Sequence, residues 1–165
     1  MSADESYQFL LNRLRADIKK LNLDRKKLSE EKRTVLDFVE GKKTSAQIVH
    51  NNQIILLKKG NHNKIDGSGW GFEHILHRHY GDHKEGRVSA RDILNMFFYF
   101  SKYRETSDVE TVEKNKKVYQ FFKTNGINEI RIRLVSRKNL MIYEVTTFYS
   151  DLVEVEEVKE TGDLF

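Results

Sequence analysis

The hydrophobic period of this chain changes from that of a helix near its start to that of a strand further along. Over residues 5–40, apolar residues recur at roughly helical spacing among many charged ones, which predicts a single long helix. Over about 116–149 the period is two, which predicts three successive strands. Helices followed by consecutive strands are typical of the α+β class. We therefore expect a long N-terminal helix, then helices packed on a small antiparallel β-sheet.

The predicted strands are separated by recognisable turn sequences. Asn51-Asn52 lies between two short apolar runs, and asparagine tolerates the left-handed conformation that a tight hairpin needs. Asn125-Gly126 is a stronger hairpin signal of the same kind. The predicted strands are Gln47–Val49, Gln53–Lys58, Val118–Phe122, Ile130–Val135 and Leu140–Tyr149.

Two further helices are predicted between these strands. A glycine- and asparagine-rich loop over residues 60–69 leads into a helix over 71–80, which Gly81 is expected to end. Ser89, with Asp92 three residues later, resembles a helix-capping pair. The helix that it opens carries many large apolar residues, so we expect it to be largely buried.

Charge divides the chain into unequal parts. Residues 1–150 carry 28 lysines and arginines against 19 acidic residues, whereas residues 151–165 carry one lysine and six carboxylates. A basic body suits a polyanionic ligand, and the acidic end either competes with that ligand or keeps the chain soluble. We predict three segments: a charged helix (1–43), a main domain (44–150) and an acidic tail (151–165).

Composition excludes several classes of protein. The chain has no cysteine, which rules out disulfides and thiolate metal sites. No apolar run approaches the ~20 residues that span a bilayer, so we expect no membrane partner. Asp4 and Glu5 stand where a secretory signal would carry basic residues. We therefore expect the protein to act in the cytoplasm.

Four of the six histidines lie between positions 74 and 83. On a helix over 71–80, His79 continues an apolar stripe that must face the sheet and that consists of Phe72, Ile75 and Leu76. His74, His77 and Arg78 fall on another stripe, and His74 and Arg78 are neighbours on the flank. Histidine exchanges protons near neutral pH, and arginine keeps its charge. The combination suits general acid/base chemistry on a phosphodiester.

Other interpretations of these histidines stay open. His79 could be a half-buried structural residue, and His77 and His83 ordinary exposed ones, while His50 and His62 carry no motif signal. The spacing does not match the two-histidine, one-glutamate order of a zinc protease helix. We expect no metal or other cofactor, and we keep a metal-dependent nuclease as an alternative that would need a further carboxylate such as Glu73 or Asp82.

Two short motifs carry a resemblance to a known family. The segment Gly71-Phe-Glu-His74-Ile-Leu-His-Arg78-His79 resembles the His-Ile-x-x-Arg-His helix of a phage-associated ribonuclease-like family of the barnase–EndoU–colicin–RelE (BECR) superfamily. Val145-Thr-Thr147-Phe-Tyr149 is similar to the Val-Thr-x-Tyr strand on which members often end. The resemblance covers about residues 70–150. His77 departs from the motif as an additional histidine that could replace His74 in the acid/base pair.

The resemblance implies a toxin-like, metal-independent endoribonuclease. His74 and His79 would exchange protons, in an order that stays open, Arg78 would hold the phosphate, and the hydroxyls of Thr147 and Tyr149 would reach the same phosphate. Three basic residues are candidate contacts to the RNA backbone: Lys64, Arg131 and Arg133.

The resemblance also bears on partners. RNA is the expected partner, together with a neutralising immunity or antitoxin protein, and the chain could be delivered as part of a larger phage or secreted toxin protein. The N-terminal helix packs on the body or pairs with a second copy as a homodimer. The alternative from another class is a non-catalytic RNA- or protein-binding module on the same fold.

Overall fold

The computed structural model describes residues 3–81, 88–102, 116–122, 128–136 and 142–152. Helices begin the chain, strands and further helices follow, and three consecutive strands end its described part. The helices are α1 (Ala3–Lys19), α2 (Glu30–Val39), α3 (Gly71–Arg78), α4 (Ala90–Leu94) and α5 (Phe98–Lys102). The strands are β1 (Ser45–His50), β2 (Gln53–Lys58), β3 (Asn61–His62), β4 (Gly69–Trp70), β5 (Lys116–Phe122), β6 (Asn128–Ser136) and β7 (Ile142–Leu152). The fold is α+β, as predicted.

The main sheet has five strands in the order β1-β2-β7-β6-β5. The two predicted hairpin regions are both antiparallel, with β1 paired to β2 and β5–β6–β7 forming a meander. The two regions are joined by a parallel pairing of β2 with β7, in which Ile55 lies opposite Tyr143. The expectation of a purely antiparallel sheet was therefore wrong: the sheet is mixed, because β7 is inserted beside the first hairpin.

The turn chemistry of the first hairpin is as predicted. Asn51 and Asn52 have φ values of 51° and 63°, the left-handed conformation that joins β1 to β2 in a two-residue turn. The corresponding turn at Asn125-Gly126 lies outside the described residues. Strand β2 has its predicted bounds, and the other four strands extend one to three residues beyond at least one predicted end. Residues 140–141, predicted to begin the last strand, lie outside the described residues.

The single helix predicted over residues 5–40 is wrong, since the chain forms two helices there. Asn22 adopts φ 51°, which no continuing helix allows, and the Asp24 side chain then caps a short 3₁₀ turn by accepting from Lys26 N. Ser29 begins α2 as its N-cap. These three residue types favour helix ends, and they interrupt an apolar spacing that otherwise continues through the break.

The helix predicted after Ser89 also differs in one respect. Ser89 and Asp92 form the complete capping box, with each side chain bonded to the other's backbone N–H. The segment is largely buried, as expected, but it consists of two short helices: α4 ends at Leu94, and α5 begins at Phe98.

One hydrophobic core unites the helices with β1, β2 and β7. Residues of α1 and α2 lie in it beside those of α3, and the Phe72 ring meets the edges of Tyr7 and Phe38. The buried apolar side chains of these three helices are Leu11, Leu14, Ile18, Val35, Leu36, Phe38, Val39, Phe72, Ile75 and Leu76. The N-terminal helices are thus part of the packing that fixes α3.

No helix in the described part of the chain combines the length and apolar character needed to cross a membrane.

Candidate active site

Helix α3 is fixed at both its start and its buried side. Gly71 has φ 81°, and a Cβ there would lie 2.9 Å from the Lys58 carbonyl oxygen and from Gly60 Cα, so only glycine permits this close approach. Phe72, Ile75 and Leu76 are fully buried, as the predicted stripe requires. The histidines of this segment are therefore presented from a rigid element.

The end of α3 comes earlier than predicted. The helix ends at Arg78, and His79 is its C-cap, donating its backbone N–H to the Ile75 carbonyl at 2.9 Å. Gly81 takes φ 103° beyond the helix, which fits its expected role at the helix end. His79 thus lies at the C-terminal end of the helix, and the direction of its ring does not follow from the helical repeat.

Four histidines from β3, α3 and the C-cap of α3 form one group, which we call the histidine cluster: His62, His74, His77 and His79. The β3–β4 hairpin brings His62 against α3, where its Nδ1 lies 3.0 Å from Nδ1 of His74. The ring of His77 stacks on that of His62, with centroids 4.8 Å apart and planes 9° apart. The rings of His74 and His79 meet edge to face at 5.7 Å.

Three histidines lie elsewhere than expected. His77, predicted on the flank away from His79, joins the cluster through His62. His62, which carried no motif signal, lies between His74 and His77. His74, expected on the flank, is buried. His50 packs against Phe100, apart from these contacts. His83 and Asp82 lie outside the described residues.

The hairpin that carries His62 is held by a buried carboxylate. Glu73 of α3 is 6% exposed, and its Oε2 accepts the His62 backbone N–H at 2.7 Å. Within the loop, Asn63 N donates to the Ser68 carbonyl at 2.8 Å, and Gly67 N donates to the Asn63 carbonyl at 2.8 Å. Glutamate at this position therefore fixes the loop to the helix.

Two cations border the cluster, and both are candidate phosphate contacts from the sequence. Arg78 is exposed and crosses the loop beside Gly67, where a Cβ would lie 2.9 Å from its guanidinium. Lys64 is exposed on the same loop, near enough that its charge lowers the pKa values of His62 and His77. Both cations therefore place positive charge beside the histidine cluster.

Burial keeps the rings of His74 and His77 neutral at physiological pH. Desolvation, together with the charges of His62 and Arg78, lowers the pKa of His74 from 6.5 to about 4. Desolvation and the charges of His62 and Lys64 lower the pKa of His77 to about 4 as well. The pKa of His62 is lowered by burial despite the opposing charge of Glu73. These rings can therefore accept protons at pH 7.

Strand β7 reaches the same site from the sheet. The rings of Tyr149 and His79 lie 5.4 Å apart, so the predicted strand residue and the predicted helix residue are neighbours. Thr147 is buried, and its hydroxyl finds no hydrogen-bond partner among the residues that the structure describes. A β-bulge leaves Thr146 out of the pairing with β6 just before them.

The two predicted arginines of β6 are described by their backbone register. Arg131 pairs with Tyr149, and Arg133 pairs with Thr147. Both therefore occupy positions next to the predicted hydroxyl residues across the β6–β7 ladder. Their role as contacts to the RNA backbone stays a prediction.

Within the described ranges, no three histidine, aspartate or glutamate side chains are arranged to hold a metal ion. Comparisons with protein-family models, curated proteins and solved structures gave no match to this chain.

Proposed function

We propose that this protein is a metal-independent endoribonuclease whose active site combines the histidine cluster with Thr147 and Tyr149. The observation that carries the proposal is the meeting of α3 and β7: His79 contacts His74 on one side and Tyr149 on the other. Groups that exchange protons therefore adjoin groups that can hydrogen-bond to an oxyanion. Arg78 and Lys64 add fixed positive charge at the same place.

The reaction needs a base, an acid and stabilisation of a dianionic phosphorane. A neutral His74 accepts the proton of the ribose 2′-hydroxyl, whose oxygen forms a bond to the adjacent phosphorus. The bond from phosphorus to the 5′-oxygen breaks, and protonated His79 donates its proton to that oxygen. The products carry a 2′,3′-cyclic phosphate and a 5′-hydroxyl, so no water or metal enters this step.

The Thr147 hydroxyl, which has no hydrogen-bond partner within the described ranges, supports the assignment of the strand residues. A buried hydroxyl without a partner costs free energy, and a ligand that supplies the missing bond would account for its presence here. A phosphate oxygen bound by Arg78 and Tyr149 would supply it. We infer that Lys64, Arg131 and Arg133 bind neighbouring phosphates by charge.

The BECR-type fold, cytoplasmic action and a neutralising protein partner are part of the same proposal. The packing of α3 on β7 supports the BECR-type fold, since the helix motif and the strand motif of that family would then share one site. A protein that covers the histidine cluster with carboxylates would block RNA and neutralise Arg78 and Lys64.

The test uses the full chain and an oligonucleotide of DNA with one ribonucleotide between a fluorophore and a quencher. In excess EDTA we expect cleavage on the 3′ side of the ribonucleotide and a cyclic phosphate by mass spectrometry. An all-DNA oligonucleotide of the same sequence should remain intact because it lacks the attacking hydroxyl. The His50→Ala variant, altered outside the site, is the matched control.

Three outcomes would overturn the proposal. Products ending in a 3′-hydroxyl would indicate another mechanism, and cleavage that requires a divalent metal would indicate the metal-dependent alternative. Salt-sensitive RNA binding without any cleavage, weakened by Lys64→Ala, would indicate a binding module.

A further inference from the structure

We propose that His62 is a positioning residue that holds His74 through a single shared proton, and that Glu73 fixes His62 for this purpose. Its consequence for catalysis rests on the proposed ribonuclease function, whereas the hydrogen-bonded pair itself does not. His62 lies outside both motifs, on β3, and contacts α3 only because the β3–β4 hairpin folds over it.

The geometry of the pair sets its proton count. The two Nδ1 atoms lie 3.0 Å apart, a hydrogen-bond distance that requires one nitrogen to donate and the other to accept. Two protonated Nδ1 atoms would repel each other, and two bare ones would lose the bond. Because His74 is 8% exposed, water cannot readily replace the partner.

The surrounding residues are arranged to bring the two rings together. A Cβ at Gly69 would lie 2.9 Å from His62 Cα and 3.1 Å from His74 Nδ1, so glycine leaves the space for this contact. Glu73 anchors the His62 backbone at 2.7 Å, and Lys59 Nζ lies 4.0 Å from the other oxygen of Glu73. The ring of His77 stacks on the remaining face of His62.

The pair gives His74 a defined chemistry. With its Nδ1 turned to His62, His74 offers only Nε2 to a substrate. When Nε2 takes the 2′-hydroxyl proton, Nδ1–H donates to the neutral His62 ring, and this charge-assisted bond stabilises the imidazolium. A buried imidazole that would otherwise be a weak base thereby becomes a better one.

The charged and titratable groups that face the pair are Glu73, Arg78, Lys64, Asp66, His77 and His79. Glu73 favours a proton on His62, whereas Arg78 and Lys64 oppose it. A first proton is therefore accepted by the pair as a unit, and a second requires the hydrogen bond to break.

Nitrogen NMR of the full chain, labelled with ¹⁵N at histidine, tests the pair without using activity. Near pH 7 we expect one of the two Nδ1 atoms to carry a proton and the other to carry none. On acidification both rings should move in one common step. Independent titration of the two rings, or two unprotonated Nδ1 atoms, would overturn the proposal even if RNA is cleaved.

Variants test the consequence for catalysis. His62→Phe keeps a ring to stack on His77 but removes the nitrogen, and kcat should fall on the order of tenfold or more with little change in KM. His62→Asn places a polar atom near the lost Nδ1 and should recover part of kcat. The pH profile of kcat should lose the common step in His62→Phe, whereas the His50→Phe control should keep it.

The outcomes separate the two proposals. If the wild-type chain cleaves no RNA while the common NMR step is present, the proposed function fails and the pairing stands. If His62→Phe unfolds, the wild-type NMR titration and His62→Asn still decide the question. Full activity with an unchanged pH profile in both His62 variants would refute the positioning role.

Discussion

The buried hydroxyl of Thr147 allows structure and function to be tested by one substitution. Thr147→Val keeps the branched shape and the strand preference of the residue but removes the oxygen. A buried polar group without a partner costs about 1–3 kcal/mol, and Thr147 Oγ1 has none among the described residues. We therefore expect Thr147→Val to raise the free energy of unfolding by about 1 kcal/mol, the lower end of that range.

The assay is urea unfolding of the full chain, in which the midpoint should rise with an unchanged slope. For a domain of this size the gain corresponds to about 2–4 °C in Tm. Thr34→Val is the matched control, because Thr34 Oγ1 accepts the Gln47 N–H at 3.3 Å and its loss should destabilise the protein by about 0.5–1 kcal/mol.

Activity should move in the opposite direction to stability. If Thr147 donates to the phosphate in the transition state, Thr147→Val should lower kcat/KM on the order of tenfold or more, as loss of an oxyanion donor does. A loss of stability of about 1 kcal/mol or more in Thr147→Val would show that the hydroxyl is already bonded in the folded protein. That result would refute the reasoning.

Further predictions concern His79, pH, the N-terminal helices and the tail. His79→Ala should lower the cleavage rate about 100-fold or more, with His50→Ala unaffected, and a smaller loss than in His77→Ala would refute the assignment. The pKa values of His74 and His77 are lowered from 6.5 to about 4 in the folded protein, so on acidification the unfolded chain binds these protons at a higher pH than the folded chain does. Urea melts should therefore show a contribution to stability that is fully present above pH 6.5 and is lost as the pH falls towards 4. A chain starting at Lys43 should show no cooperative melt, because it lacks α1 and α2; a cooperative melt would establish 44–150 as an independent domain. Deleting residues 153–165, which lie outside the described residues, should tighten RNA binding at low salt and less so at high salt. If the deletion leaves the affinity for RNA unchanged at both salt concentrations, competition by the tail is excluded.

Local signals in the sequence explain which parts of the fold could be predicted. The Asn51-Asn52 turn and the Ser89–Asp92 capping box are specified by a few adjacent residues, and both were found in the structure. The pairing of β2 with β7 depends on residues distant in sequence, for which no local pattern exists. The break near Asn22 did have a signal, but the apolar spacing across it favoured a continuous helix.

The same distinction applies to the candidate site. The helical stripe correctly placed Phe72, Ile75 and Leu76 in the core, and the strand motif placed Tyr149 near His79. His62 was missed because a strand of two residues shows no alternation. The glycines that flank it at positions 60 and 69 were the available signal, since both allow backbone approaches that a Cβ would forbid.

The central position of β7 has a consequence for the order of events during synthesis. Ile54 and Ile142, roughly 90 residues apart, pair in the sheet, and contacts so distant in sequence form late in folding. The histidines leave the ribosome well before β7 does, so the nascent chain carries them without Thr147 or Tyr149. Until β7 is inserted, β2 and β6 also lack their shared neighbour. The candidate site is therefore completed only late in folding, after β7 has been synthesised and inserted into the sheet.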